Sequence, residues 1–122
     1  MKILVVDDSV TMRKIITKNL SSAGFNDILE ATDGADAMDK MNGVDLVILD
    51  WNMPIMDGIT FVKEVKNSPA FHEVPIIMCT TEGAQKEVIQ ALKLGVSDYI
   101  VKPFKPELII EKVRALNQKM NK

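Results

Sequence analysis

Leu46-Val47-Ile48-Leu49-Asp50-Trp51-Asn52-Met53-Pro54-Ile55-Met56-Asp57-Gly58 is an apolar tetrad that stops on a carboxylate and runs into a loop bearing proline and glycine. Four aliphatic residues in succession are too few for a buried helix. They also lack the alternation of a half-exposed strand, so they read as a strand covered on both faces, as in a parallel sheet flanked by helices. The pattern recurs in both directions. Ile3-Leu4-Val5-Val6 stops at Asp7-Asp8, Pro75-Ile76-Ile77-Met78-Cys79 at Thr80-Thr81, and Tyr99-Ile100-Val101 at Lys102-Pro103. In a parallel sheet these ends share one edge, and open α/β sheets bind their ligands there.

Between the apolar runs lie stretches of helical period. The spacing predicts strands over Lys2–Val6, Asp27–Ala31, Leu46–Leu49, Pro75–Cys79 and Asp98–Val101. Ser9 can cap a first helix in which Val10, Arg13–Ile16 and Leu20 recur, with Gly24 as its left-handed end. Asp36–Met41, Ile59–Lys66 and Gln85–Leu94 supply three more helices, and Pro106 opens a fifth reaching about Met120. Five βα units imply a doubly wound five-stranded parallel sheet with helices on both faces. The polar second run and the short fifth run suit edges, which favours the order 2-1-3-4-5.

The chain has 122 residues, expected to form one domain over 1–122, of which 47% are hydrophobic and 26% charged. Its net charge is −2 and no basic stripe stands out, which argues against nucleic acid as a partner. No apolar run approaches the length of a membrane span, and the start of the chain lacks the pattern of a signal peptide. The lone Cys79 lies in an apolar run and reads as a small buried hydrophobe, compatible with a cytoplasmic location. The lone His72 has no nucleophile at a recognisable spacing and reads as a solvated loop residue.

Asp7, Asp8 and Asp50 at one sheet edge are a donor set for Mg²⁺, which takes oxygen ligands and commonly shares one or two carboxylates with a phosphate. Without a cation the three charges would raise one another's pKa. Pro54 stiffens the loop after Asp50, which can also offer the Asn52 carbonyl. The Lys102–Pro103 bond admits either isomer, and a cis bond would turn the lysine back toward the acids.

These residues carry a resemblance. Val5-Val6-Asp7-Asp8-Ser9, Asp50 through Gly58, Thr80-Thr81-Glu82 and Tyr99-Ile100-Val101-Lys102-Pro103-Phe104 resemble the response-regulator receiver family, and within it the CheY-like single-domain chemotaxis regulators. The resemblance covers the whole chain and implies the flavodoxin-like fold in the order 2-1-3-4-5. It implies that Asp50 accepts a phosphoryl group from a CheA-like histidine kinase. It also implies that Asp8, Asp50 and the Asn52 backbone carbonyl ligate Mg²⁺ (or Mn²⁺), with Asp7 acting through water. Thr80 and Lys102 would bind the phosphoryl oxygens, Asn52 and Glu82 would tune dephosphorylation, and Tyr99 would be the aromatic switch. The output face would gather Val88, Tyr99, Val101 and Lys112 for a FliM-like flagellar motor switch protein, with a phosphatase as a further partner. The regulator is expected to be a cytoplasmic monomer that catalyses only its own phosphotransfer and dephosphorylation. Gly83 stands where many relatives carry alanine.

Three alternatives stand beside this reading. A single-domain receiver in a phosphorelay other than chemotaxis would share every site residue. An aspartyl-nucleophile phosphohydrolase needs a second acid two residues after the nucleophile, and Asn52 offers an amide there. A flavin-phosphate cradle after the first strand is opposed by the two negative charges at Asp7 and Asp8.

Overall fold

The computed structural model describes residues 1–51, 53–80, 85–102 and 104–120. The elements alternate as β1 (Ile3–Val6), α1 (Val10–Ser22), β2 (Ile28–Ala31), α2 (Gly34–Asp39), β3 (Leu46–Leu49), α3 (Gly58–Lys66), β4 (Ile76–Thr80), α4 (Gln85–Lys93), β5 (Asp98–Val101) and α5 (Pro106–Met120). The strands form one five-stranded sheet in the order β2-β1-β3-β4-β5. Every pairing is parallel, with Val6 beside both Ala31 and Leu49, and Thr80 beside Val101.

Strand period 2 divides the apolar side chains between two layers. Leu4, Val6, Val47, Leu49, Ile76 and Met78 meet Ala37 and Met41 near α2, Phe61, Val62 and Val65 of α3, and Ala91 of α4. Ile3, Val5, Leu46, Ile48, Ile77, Cys79 and Ile100 meet Ile16 and Leu20 of α1 with Ile109 and Val113 of α5. β1, β3 and β4 as far as Cys79 are therefore apolar at every position because both faces are covered. The edge strands depart from this, with Glu30 exposed in β2 and Asp98 half-buried in β5.

Local chemistry moves several boundaries from those expected. The second helix begins at Gly34 because Asp33 caps it, accepting the Asp36 N–H at 2.8 Å. Asp36 in turn accepts the Thr32 N–H at 3.0 Å, a reciprocal capping pair worth about 1 kcal/mol. Asp57 likewise caps α3 through the Thr60 N–H at 2.9 Å, so the helix begins at Gly58, one residue before the expected start at Ile59. Ser9 caps α1 by accepting the Met12 N–H, and Gly24 has φ +97°, both as expected. The buried stripe of α1 is Arg13, Ile16 and Leu20, whereas Val10 is 54% exposed.

Candidate functional site

The strand ends fix the acids. The Asp7 N–H donates to the Ala31 carbonyl at 3.1 Å and the Asp50 N–H to the Val6 carbonyl at 2.9 Å, so the ladder continues one residue past each strand and sets the two aspartates side by side. Oxygen atoms of Asp7, Asp8 and Asp50 all lie within 4.8 Å of one another. Asp7 and Asp50 are buried and Asp8 is exposed, so the cluster is open on one side only.

Lys102 enters from the end of β5. Its Nζ donates to Asp7 Oδ2 at 2.9 Å and stands 3.6 Å from Asp50 Oδ1. Asp7 Oδ1 accepts the Ser9 N–H at 2.9 Å, and Asp50 Oδ1 accepts the Trp51 N–H at 2.9 Å. Both contacts to Asp50 fall on Oδ1. Burial pushes the Asp50 carboxyl above the usual carboxylate range, the charge of Asp7 adds to this, and Lys102 with the Trp51 N–H opposes it. Burial works against the Lys102 ammonium too, yet the Asp7 hydrogen bond and the charges of Asp50 and Asp7 outweigh it and hold the group above lysine's ordinary value. Three carboxylates against one ammonium leave a formal charge of −2, in oxygen donors close enough to share one small hard cation. The residues present thus fit a divalent metal.

Backbone geometry protects this arrangement. The Gly58 N–H donates to the Trp51 carbonyl at 2.8 Å. A Cβ at position 58 would run into the Asp50 carbonyl oxygen and meet Trp51 Cα at 2.9 Å, so only glycine lets α3 start this close to the acceptor.

Arg13 has a structural role that the periodicity of α1 does not disclose. Its Nη1 donates to the Asp7 carbonyl at 2.6 Å and its Nε to Glu30 Oε1 at 3.1 Å, tying α1 and β2 to the end of β1. The available signal was a cation on the apolar side of α1, six residues after an acid. Cys79 is buried, and burial pushes its thiol up to about 12, which fits the expected inert hydrophobe. His72 is exposed, as expected.

Asn52, Glu82 and Pro103 lie outside the described residues. Thr80 ends β4 opposite Val101 at the same edge as the acids. Tyr99 stands opposite Met78, half-buried, and packs on the core layer that holds Met78. The expected output patch is less open than the sequence suggested. Val101 is 44% exposed and Val88 is half-buried. Lys112 is drawn to Asp98, with its Nζ 2.9 Å from Oδ2, so its charge is paired within the chain.

The family model for the response regulator receiver domain matches residues 3–114, and the chain belongs to that family. Within it, the chain is similar to chemotaxis regulators. It is 51% identical over 119 residues to the chemotaxis protein CheY1 of Helicobacter pylori, covering 95% of this chain and 96% of that one. It is 52% identical over 116 residues to the chemotaxis protein CheY homolog of Campylobacter jejuni, covering 93% and 89%. Among solved structures, a chain of the CheX–CheY–BeF3–Mg²⁺ complex of Borrelia burgdorferi superposes with a TM-score of 0.89 at 33% identity, over 95% of this chain and 88% of that one. Among the described residues, no helix is long and apolar enough to cross a membrane.

Proposed function

We propose that this receiver domain is a phosphorylatable chemotaxis switch whose acceptor is Asp50. The observation that carries this reading is the placement of Asp50 between two further carboxylates and the Lys102 ammonium, with one carboxylate oxygen left without a hydrogen bond or ion pair among the described residues. That oxygen is the nucleophile. It attacks the phosphorus of a phosphohistidine on a CheA-like kinase; a P–O bond forms as the P–N bond breaks. The electron pair of the broken bond stays on the imidazole nitrogen, which is left able to take a proton from solvent.

In this reading Asp8, Asp50 and the Asn52 carbonyl would hold Mg²⁺ (or Mn²⁺), with Asp7 acting through water, and a bound cation would supply charge neutralisation for the phosphoryl group. Lys102 is already anchored by Asp7, so it can turn its remaining N–H bonds to a phosphoryl oxygen with little reorganisation. Thr80 takes a second oxygen. Hydrogen bonds to charged groups contribute roughly 1.5–3 kcal/mol, enough to shift a two-state equilibrium about ten- to a hundredfold. Through Tyr99 that shift remodels the face near Val88, Val101 and Lys112, where a FliM-like motor protein docks. Asn52 and Glu82 orient the water that later removes the phosphoryl group, the step a CheX-like phosphatase would accelerate.

Trp51 sits beside the acceptor and reports on it. Acetyl phosphate with Mg²⁺ should change its fluorescence in the wild type and leave Asp50→Asn silent. An identical response in that variant would refute the reading.

A further inference from the structure

The flank of α4 that faces α3 has a composition the phosphoacceptor chemistry does not use. A groove of about 430 Å³ runs between the two helices, lined by Lys63 of α3 and by Lys86, Ile89, Gln90, Lys93 and Leu94. Three ammonium groups and no carboxylate line it, on a chain whose net charge is −2. Lys63, Lys86 and Lys93 are exposed, and their ammonium groups make no hydrogen bond or ion pair among the described residues. Lys66, one turn along α3, shows the contrast. Its Nζ donates to the His72 and Val74 carbonyls at 3.0 and 3.2 Å, so that charge is used within the chain.

The helical period explains how the cations gather. α4 turns about 100° per residue. Ala91 is its buried residue, and Glu87, the acid of this helix, lies one turn before it on the same inward stripe. Val88 and Leu92 fall on one flank and stay out of the groove, whereas Lys86, Gln90 and Lys93 fall on the other and line it. Lys86 and Lys93 are seven residues apart, about 10 Å along the axis, with Ile89 and Gln90 between them. Ile89 is 42% exposed, an apolar step between two cations, and the half-buried Leu94 closes the far end.

We propose that this groove docks an acidic amphipathic helix of a partner protein. Carboxylates seven residues apart on that helix meet Lys86 and Lys93, an apolar residue between them covers Ile89, and Lys63 supplies a third cation from the opposite wall. Charge complementarity selects the sign of the partner, and the spacing selects its form. The site is a trough between two helices, so a ridge of side chains fills it, whereas a flat anionic lipid surface touches only its lips. Neither the acid pocket nor Val101 and Lys112 belong to the groove, so a partner held here leaves both uncovered. Docking requires no phosphoryl group on Asp50.

The probe is a fluorescein-labelled, alanine-based helical peptide of about 21 residues, with glutamate at every seventh position and leucine at the third and fourth positions after each. Its fluorescence anisotropy should saturate against the unphosphorylated protein with a Kd below about 100 μM at low salt. Raising NaCl from about 50 to about 500 mM should weaken binding several-fold. Lys63→Glu, Lys86→Glu and Lys93→Glu combined should weaken it about tenfold or more, and that variant should instead bind a peptide with lysine in place of glutamate. Exposed positions tolerate such changes, so the variant should melt within a few degrees of wild type. Ile89→Asn, which leaves every charge in place, should weaken binding by about threefold or more. Absence of saturable binding to the wild type, or equal binding by the triple variant and Ile89→Asn, would overturn the proposal. So would amide shifts on peptide addition centred on Val101 and Lys112 instead of α3 and α4. Co-sedimentation with phosphatidylglycerol vesicles that needs the three lysines, in a protein that does not bind the peptide, would assign the face to a membrane and overturn the helix.

Discussion

Replacing Asp50 with asparagine should make the metal-free protein more stable, although it removes a buried group that accepts a hydrogen bond. The effects can be weighed from the distances. Asp7 and Asp8 each place an oxygen within 4.8 Å of Asp50, so at an effective dielectric of about 20 each repels it by at least roughly 3.5 kcal/mol. Lys102 at 3.6 Å returns roughly 4.6 kcal/mol of attraction on the same scale. The amide keeps an oxygen for the Trp51 N–H and sheds the cost of burying a charge. Repulsion and desolvation together exceed the attraction, so Asp50→Asn should gain about 1–2 kcal/mol at neutral pH, seen as a melting temperature higher by about 3–6 °C. The pH dependence has a definite sign. The folded-state pKa of Asp50 is raised above its unfolded value, so ionisation penalises the native wild type at pH above that raised value. The advantage of the variant should therefore be full at neutral pH and shrink as pH falls through the raised pKa toward 3.8. Thermal melts followed by circular dichroism, in chelator-treated buffer from pH 7.5 to about 4, measure it. Adding Mg²⁺ should reverse the ranking, because a cation that binds only the native wild-type site stabilises it by mass action. A variant less stable than wild type in metal-free buffer at neutral pH would refute this balance of charges.

Three further outcomes follow from the surroundings of the site. Gly58→Ala should cost about 2–4 kcal/mol in denaturant melts, since the added methyl has no space beside the Asp50 carbonyl. Arg13→Met should lose about 1.5–3 kcal/mol by leaving the buried Asp7 carbonyl without its charged donor, and it should raise the Mg²⁺ concentration needed to change Trp51 fluorescence. Cys79 should resist a thiol reagent at pH 8 in the folded protein and react at once in denaturant, because burial both hides the thiol and pushes it up to about 12.

Much of the fold was legible because its central strands are covered on both sides. Ile3–Val6, Leu46–Leu49 and Ile76–Cys79 are apolar at every position for that reason, and the acids that follow the first two share an edge by topology alone. The convergence of Asp7, Asp8, Asp50 and Lys102 was legible for the same reason. The early start of α2 comes from a polar capping pattern, Asp33 with Asp36 and Thr32, that apolar spacing does not carry. Other features depend on contacts distant in sequence. Val10 fits the apolar repeat of α1, yet it faces solvent in the first turn. Lys112 reads as a surface charge until β5 brings Asp98 to it. Nothing in Pro54-Ile55-Met56 announces a left-handed isoleucine; the conformation comes from anchoring Met56 on Gly34.

The central claim, that Asp50 is the phosphoacceptor, is tested most directly by trapping the product. Incubation with acetyl phosphate and Mg²⁺, borohydride reduction of the acyl phosphate and peptide mapping by mass spectrometry locate the modified carboxylate. The reduced residue is expected at Asp50 alone, with no label in Asp50→Ala and little without the metal. Label on another carboxylate of the wild type, or label in Asp50→Ala at the wild-type level, would contradict it.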